Sequence, residues 1–192
     1  MSCIFCLEVF YLSIVESATA ILINRHRLTE TSLIVHWCSA EQGLFKTVAK
    51  GALRPKSPFT GRLDLFATCE VVFLRSHKSD LHTLKEVHLN NARLHLRNSY
   101  ARVLAATYFS RLIEMVAERE SPLDGLHELL RLSLDYLEEH EPGAKLVQRY
   151  ESKLCEELGL GIVQSSGAAL LHDFFHRALP PQRDLLLKEI SK

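Results

Sequence analysis

The hydrophobic period of this 192-residue chain changes once, and that change limits what it can fold into. Up to about residue 88 the apolar residues recur every second position. Leu33, Val35 and Trp37 fall on one face of a segment whose other face carries Ile34, His36 and Cys38, the pattern of a strand with two distinct sides. From about residue 98 the spacing becomes helical. The first half predicts strands at Ala18–Arg27, Leu33–Cys38, Leu44–Lys50, Leu65–Arg75 and Leu81–His88. Five short strands with one long connection fit a small closed barrel of the OB type, with an SH3-like barrel the nearest rival on pattern alone. In the second half, Asn98 or Ser99 caps a helix running to about Arg119. Ser121-Pro122 reads as a helix restart. A further helix begins at Glu141-Pro142 and closes at Gly159. Short helices are expected over Gly167–Leu179 and Pro181–Ile190. The expected class is α+β and multidomain: an extension over 1–16, a five-stranded OB-fold domain over 17–90, and an α-helical domain over 91–192, with the boundary near Leu89–Arg93.

Net charge is zero, yet its distribution is uneven. Residues 17–88 carry +4 and residues 91–192 carry −2. Between Gly43 and Leu63 stand Lys46, Lys50, Arg54, Lys56 and Arg62, with no acidic residue among them. Gly51, Pro55, Pro58 and Gly61 turn this run into an irregular loop. An unopposed basic loop on a small β-domain is suited to the phosphates of a nucleic acid. Arg75 and Lys78 extend the same surface on this reading. Single-stranded bases also need flat partners. Phe59, inside the loop, is expected to be exposed, whereas Trp37 and Phe66 belong in the core.

Other constellations carry less. The cysteines at 3, 6, 38, 69 and 155 are odd in number and scattered, which fits a reducing compartment and neither a disulfide framework nor a zinc site. The first 16 residues are apolar, lack a basic start and are interrupted by Glu8; they read as an added strand or a frayed end, not as a leader or a membrane span. His172 and His176 share a helix face, but two ligands do not make a metal site. The chain contains no phosphate-binding glycine loop, nucleophile elbow or zinc-protease motif. No catalytic residue, metal or cofactor is expected.

Several stretches carry a resemblance: Ala20-Ile21-Leu22, Thr31–Val35, Glu41–Leu44, Val48-Ala49-Lys50-Gly51-Ala52-Leu53-Arg54-Pro55-Lys56-Ser57, Leu63–Phe66, Val71–Leu74, Leu81–Leu84 and Leu154–Gly161. Over about residues 18–161 the chain resembles the bacterial DNA repair protein RecO family. The resemblance implies an N-terminal OB-fold, a C-terminal helical domain and no enzymatic activity. It implies a cytoplasmic, nucleoid-associated recombination mediator that binds single- and double-stranded DNA and anneals strands. Its implied partners are RecR, the acidic C-terminal tail of single-stranded DNA-binding protein and, indirectly, RecA; none is a membrane. For the tail, Arg102 and Arg111 beside Leu104, Tyr108 and Leu112 offer a candidate groove. Three departures from the family pattern stand out. Only Cys155 lies beyond residue 90, where many members carry a zinc cluster; the chain is short at its C-terminus; and Leu53 occupies a position where a second basic residue is common. The alternative is an OB-fold interaction scaffold with little DNA affinity.

Overall fold

A computed structural model describes residues 14–161 and 166–192. Five strands, β1 (Val15–Arg27), β2 (Leu33–Ser39), β3 (Gly43–Ala49), β4 (Thr68–Leu74) and β5 (Leu81–Asn91), close into a barrel in the order β1-β2-β3-β5-β4. All neighbours are antiparallel except β3 and β5, which pair in parallel over only Lys46↔Leu81, Thr47↔His82 and Val48↔Thr83. This is the OB-fold expected from the strand spacing. β1 is long enough to serve two neighbours. Its first half pairs with β4 and its second with β2, and a register shift between Leu22 and Asn24 bends it between the two. It also starts earlier than the alternation predicts, so Val15 and Glu16 belong to the sheet. Cys3, Cys6 and the rest of the expected extension up to residue 13 lie outside the described residues.

The alternation in β2 resolves into two cores. Leu33, Val35 and Trp37 point inward with Leu22, Phe45, Val71, Phe73 and Leu84. Trp37 donates its indole N–H to the buried Thr47 hydroxyl at 2.8 Å, so its one polar group is satisfied. The outward residues Ile21, Ile23 and Cys38 join the helical core instead. Burial pushes the Cys38 thiol up to about 12 and the Cys69 thiol up to about 11, as suits inert apolar cysteines.

A 3₁₀ turn (Leu94–Asn98) leads to α1 (Tyr100–Val116), α2 (Asp124–Glu139), α3 (Ala144–Glu157), α4 (Gly167–Phe175) and α5 (Gln182–Glu189). Ser99 is the α1 cap, its side chain accepting the Arg102 N–H at 3.4 Å. Gly159 closes α3 with φ of +69°, as its sequence position predicts. α1 is central and packs on β1, α2 and α5, burying Leu104, Tyr108, Phe109, Leu112 and Ile113.

Two helix starts differ from expectation. α2 begins at Asp124, not after Ser121. The link before it is clipped to the barrel: Glu120 N–H donates to Leu44 O at 3.1 Å and Leu123 N–H to Ala40 O at 2.7 Å. The Ser121 backbone lies over Gly43, at φ of +69°, where a Cβ would sit 2.1 Å from Ser121 O. These tertiary bonds outweigh the local capping preference of Ser121. Likewise α3 begins at Ala144 after Gly143, because Glu141 is held by the Ser99 hydroxyl at 2.6 Å and by Arg102 at 2.8 Å.

Glu151 on α3 is fully buried. It accepts from the Tyr108 hydroxyl on α1 at 2.7 Å and from Arg183 Nε on α5 at 2.7 Å. One carboxylate therefore joins three helices, and removing it leaves the buried Tyr108 hydroxyl and the partly exposed Arg183 guanidinium without their shared partner. A Glu151→Ala variant is expected to be about 3 kcal/mol less stable, read as a lower urea midpoint. Hydrogen exchange should show α5 opening first; a loss under about 1 kcal/mol would remove this network from the core of the fold.

Candidate nucleic-acid interface

The connection between β3 and β4 is a chain of turns, not a slack loop. Backbone bonds run from Arg54 N–H to Gly51 O (3.0 Å), Ser57 to Arg54 (3.0 Å), Thr60 to Ser57 (3.2 Å) and Arg62 to Phe59 (3.1 Å). Phe59 and Leu63 insert into the barrel core. Leu53 N–H donates to Thr31 O at 2.9 Å, and Gly51 N–H to the Ser32 hydroxyl at 3.3 Å. These bonds fasten the loop against the β1–β2 turn.

This arrangement sorts the expected DNA-binding residues. Lys50, Arg54 and Lys56 are exposed and have no ion-pair partner among the described residues. Arg54 lines two clefts, of about 480 Å³ with Arg25 and Leu53, and of about 400 Å³ with Leu28 and Lys50. Arg62 is exposed but donates to Val87 O at 3.0 Å, on the edge of β5 beyond its pairing with β3. Phe59 is 6% exposed, contrary to its expected role as a stacking platform. Its ring packs into the barrel core with Leu33, Leu63 and the inward residues of the strands, so burial of apolar area outweighs its place in a loop. Trp37 and Phe66 are buried, as expected.

Lys46 and the Arg75–Lys78 stretch lie elsewhere. Lys46 lines a crevice between barrel and helices with His36, Asp80, Arg111, Glu114 and Arg119. There His36 Nδ1 is 2.8 Å from Glu114 Oε1. Arg75 is fully engaged: it donates to Glu16 at 2.5 and 2.8 Å, to Glu120 at 2.9 Å and to Gln42 at 2.7 Å. Its geometry is that of a clamp between strands and helices, which corrects the expectation of a free surface cation. Lys78 is exposed in the β4–β5 turn, close in sequence to the Asp80–Arg119 ion pair.

The sequence also missed Arg25 and Arg27. Both are exposed at the end of β1, and Arg25 Nη1 donates to the carbonyl of Leu63 in the loop. Their signal was their position just before the β1–β2 turn; only the strand pairing shows that this turn faces the loop.

The expected partner groove on α1 is also corrected. Leu104, Tyr108 and Leu112 are core residues. Arg102 is taken by Glu141 and by the Glu138 carbonyl, and Arg111 by Glu114. A groove of that character, about 520 Å³, runs instead between α2 and α3. Leu129, Leu132, Tyr136 and Leu146 line it, and Lys145, Arg149 and Lys153 lie along its α3 side. Leu132 and Tyr136 are exposed. Lys145 and Arg149 lack ion-pair partners among the described residues, while Lys153 pairs with Glu156 at 2.5 Å.

Among the described residues no three His, Cys, Asp or Glu side chains gather as a metal site, and no helix is long and apolar enough to cross a membrane.

Residues 14–93 match the family model of the recombination protein O N terminal, and residues 97–187 that of the recombination protein O C terminal. The chain belongs to the RecO family. It is similar to the DNA repair protein RecO of Nitrosospira multiformis, 27% identical over 147 residues covering 77% of this chain and 59% of that protein. It is 26% identical over 140 residues to that of Rhodopirellula baltica (73% and 52% covered) and 29% over 169 residues to that of Burkholderia orbicola (88% and 57%). The chain thus spans little more than half the length of these relatives.

The Arg75 clamp gives a pH signature. The hydrogen bond from Arg75 holds the Glu16 carboxyl below its ordinary 4.5. Its contribution is complete above about pH 4.5 and is lost as pH falls through the depressed folded value. Burial holds His82 below its ordinary 6.5, so acidification charges the unfolded chain first and stability declines below about pH 6.5. The urea midpoint is expected to fall from pH 7 towards 4, and Arg75→Gln should remove the part below 4.5. Superimposable pH profiles for variant and wild type would refute the clamp.

Proposed function

We propose that this RecO-family chain is a non-enzymatic DNA-binding mediator of recombinational repair, with residues 17–90 as the DNA-binding domain. Its ligands are single- and double-stranded DNA. The observation that carries the reading is the set of exposed, unpaired cations Lys50, Arg54 and Lys56 on a loop stiffened by successive turns, with Arg25 and Arg27 beside it. Point and fork charges on such a loop address phosphates, and no Asn or Gln stands within residues 43–63 to read bases. Lys46, Lys78 and Arg62 are secondary contacts at most, and Arg75 is not assigned to DNA.

Partner binding forms the second part of the proposal. A tail ending in acidic and apolar residues, such as that of single-stranded DNA-binding protein, suits the α2–α3 groove, where leucines lie beside a row of cations. Contact with RecR and indirect help to RecA loading follow the family and carry no residue assignment. The scaffold alternative draws on the same groove, without DNA.

Replacing Lys50, Arg54 and Lys56 by Ala should weaken DNA binding by a similar factor for every sequence. The log-log salt slope should flatten by about 0.7 per lost contact on a single strand and about 0.9 on a duplex. Fluorescence anisotropy of labelled oligonucleotides across a salt series measures this, with circular dichroism for folding. An unchanged slope in a folded variant would favour the scaffold. Arg149→Glu should lower affinity for an acidic tail peptide at least tenfold while leaving DNA binding within about twofold; equal peptide affinity would empty the groove of its role.

A further inference from the structure

Phosphate contacts leave the bases of a single strand without a partner, and among the described residues the basic end of the barrel exposes no Phe, Tyr or Trp. Trp37, Phe45, Phe59 and Phe66 are all buried. Two leucines are exposed there instead: Leu28 at 46% in the β1–β2 turn and Leu53 at 41% in the loop. Each lines one of the two clefts that share Arg54. Both are held by the backbone, Leu28 N–H donating to Ser32 O at 3.0 Å and Leu53 N–H to Thr31 O at 2.9 Å. Their side chains are thus presented from fixed positions at low ordering cost. A single exposed leucine is ordinary. Two of them, each in a cleft beside the same unpaired arginine, form an apolar surface within reach of a polyanion held by Lys50, Arg54 and Arg25.

We propose that Leu28 and Leu53 are base-contacting residues, aliphatic surfaces against which unpaired bases pack while the surrounding cations hold the flanking phosphates. The inference rests on the DNA-binding reading and adds to it a preference for single strands. In a duplex the bases are stacked inside and cover neither leucine; in a single strand their faces are free, and covering apolar surface is favourable at about 25 cal/mol per Å².

The test is the double variant Leu28→Ser, Leu53→Ser, compared with wild type by anisotropy on a labelled mixed-sequence single strand and on the matching duplex. Single-strand affinity should fall about tenfold, about 1.4 kcal/mol. Duplex affinity should stay within about twofold and the single-strand salt slope should not change, since no cation is removed. Leu53→Phe should bind the single strand at least as tightly as wild type, because a ring stacks on any base. Equal losses on both DNAs, no loss on either, or a flattened slope would overturn the proposal while leaving the basic loop in place. Wild-type protein that binds neither DNA would overturn the DNA reading and this inference together.

Discussion

The barrel is closed by a parallel seam of only three residue pairs between β3 and β5, and the long β3–β4 connection that packs onto it carries the candidate basic surface. β5 continues to Asn91 without β3 beside it. The β3–β4 connection packs onto the barrel: Phe59 and Leu63 enter the core, and Arg62 donates to the carbonyl of Val87 on β5. A loop fixed by its own buried residues cannot swing away. Its polar residues therefore sit at defined positions on the outside, next to the β1–β2 turn. The same contacts that complete the core thus make Lys50, Arg54 and Lys56 a fixed group and not a mobile basic tail.

Charge is divided between the faces of the molecule by a similar logic. Arginines at the junction of barrel and helices are engaged internally. Arg93, almost fully buried, donates to Phe66 O at 2.6 Å, Thr68 Oγ1 at 2.8 Å and Asp135 at 2.8 Å. Arg75 bridges Glu16 and Glu120. Lys50, Arg54 and Lys56 at the free end of the barrel, and Lys145 and Arg149 on α3, have no ion-pair partner among the described residues. A chain with zero net charge can in this way present a locally basic surface, because neutrality of the whole says nothing of how pairs are distributed.

The sequence revealed the architecture more readily than the site, for physical reasons. Period-two alternation fixed which residues of β2 face the barrel, and Gly159 marked a helix end, because both depend on local backbone geometry. Phe59 reads as exposed from sequence because a loop aromatic gives no local sign that it turns into the barrel core. Leu104, Tyr108 and Leu112 have helical spacing, but spacing cannot say that α1 is covered by the barrel, α2 and α5 together. Arg75 looked free because its partners lie 59 and 45 residues away. Arg25 and Arg27 went unnoticed because their relation to the loop exists only once β1 pairs with β2. Errors of this kind fall on long-range contacts, where local signals carry no information.

The two basic surfaces differ in the neighbours of their cations, and on the reading proposed above that difference bears on which polyanion each suits. Around Arg54 the backbone turns tightly and the apolar surface comes as two separate leucines, a spacing suited to a chain of phosphates with bases between them. Beside Lys145 and Arg149 the apolar residues form a continuous trough from Leu129 to Tyr136 along α2. A duplex, whose bases are stacked inside, presents only its sugar–phosphate backbone and has little apolar surface to lay on a leucine floor. A peptide that alternates acidic and apolar residues gains from both, the cations setting its direction and the trough its affinity. Discrimination between the two ligands then needs no base-reading side chain on either surface. It follows from where apolar area is continuous and where it is broken by charge.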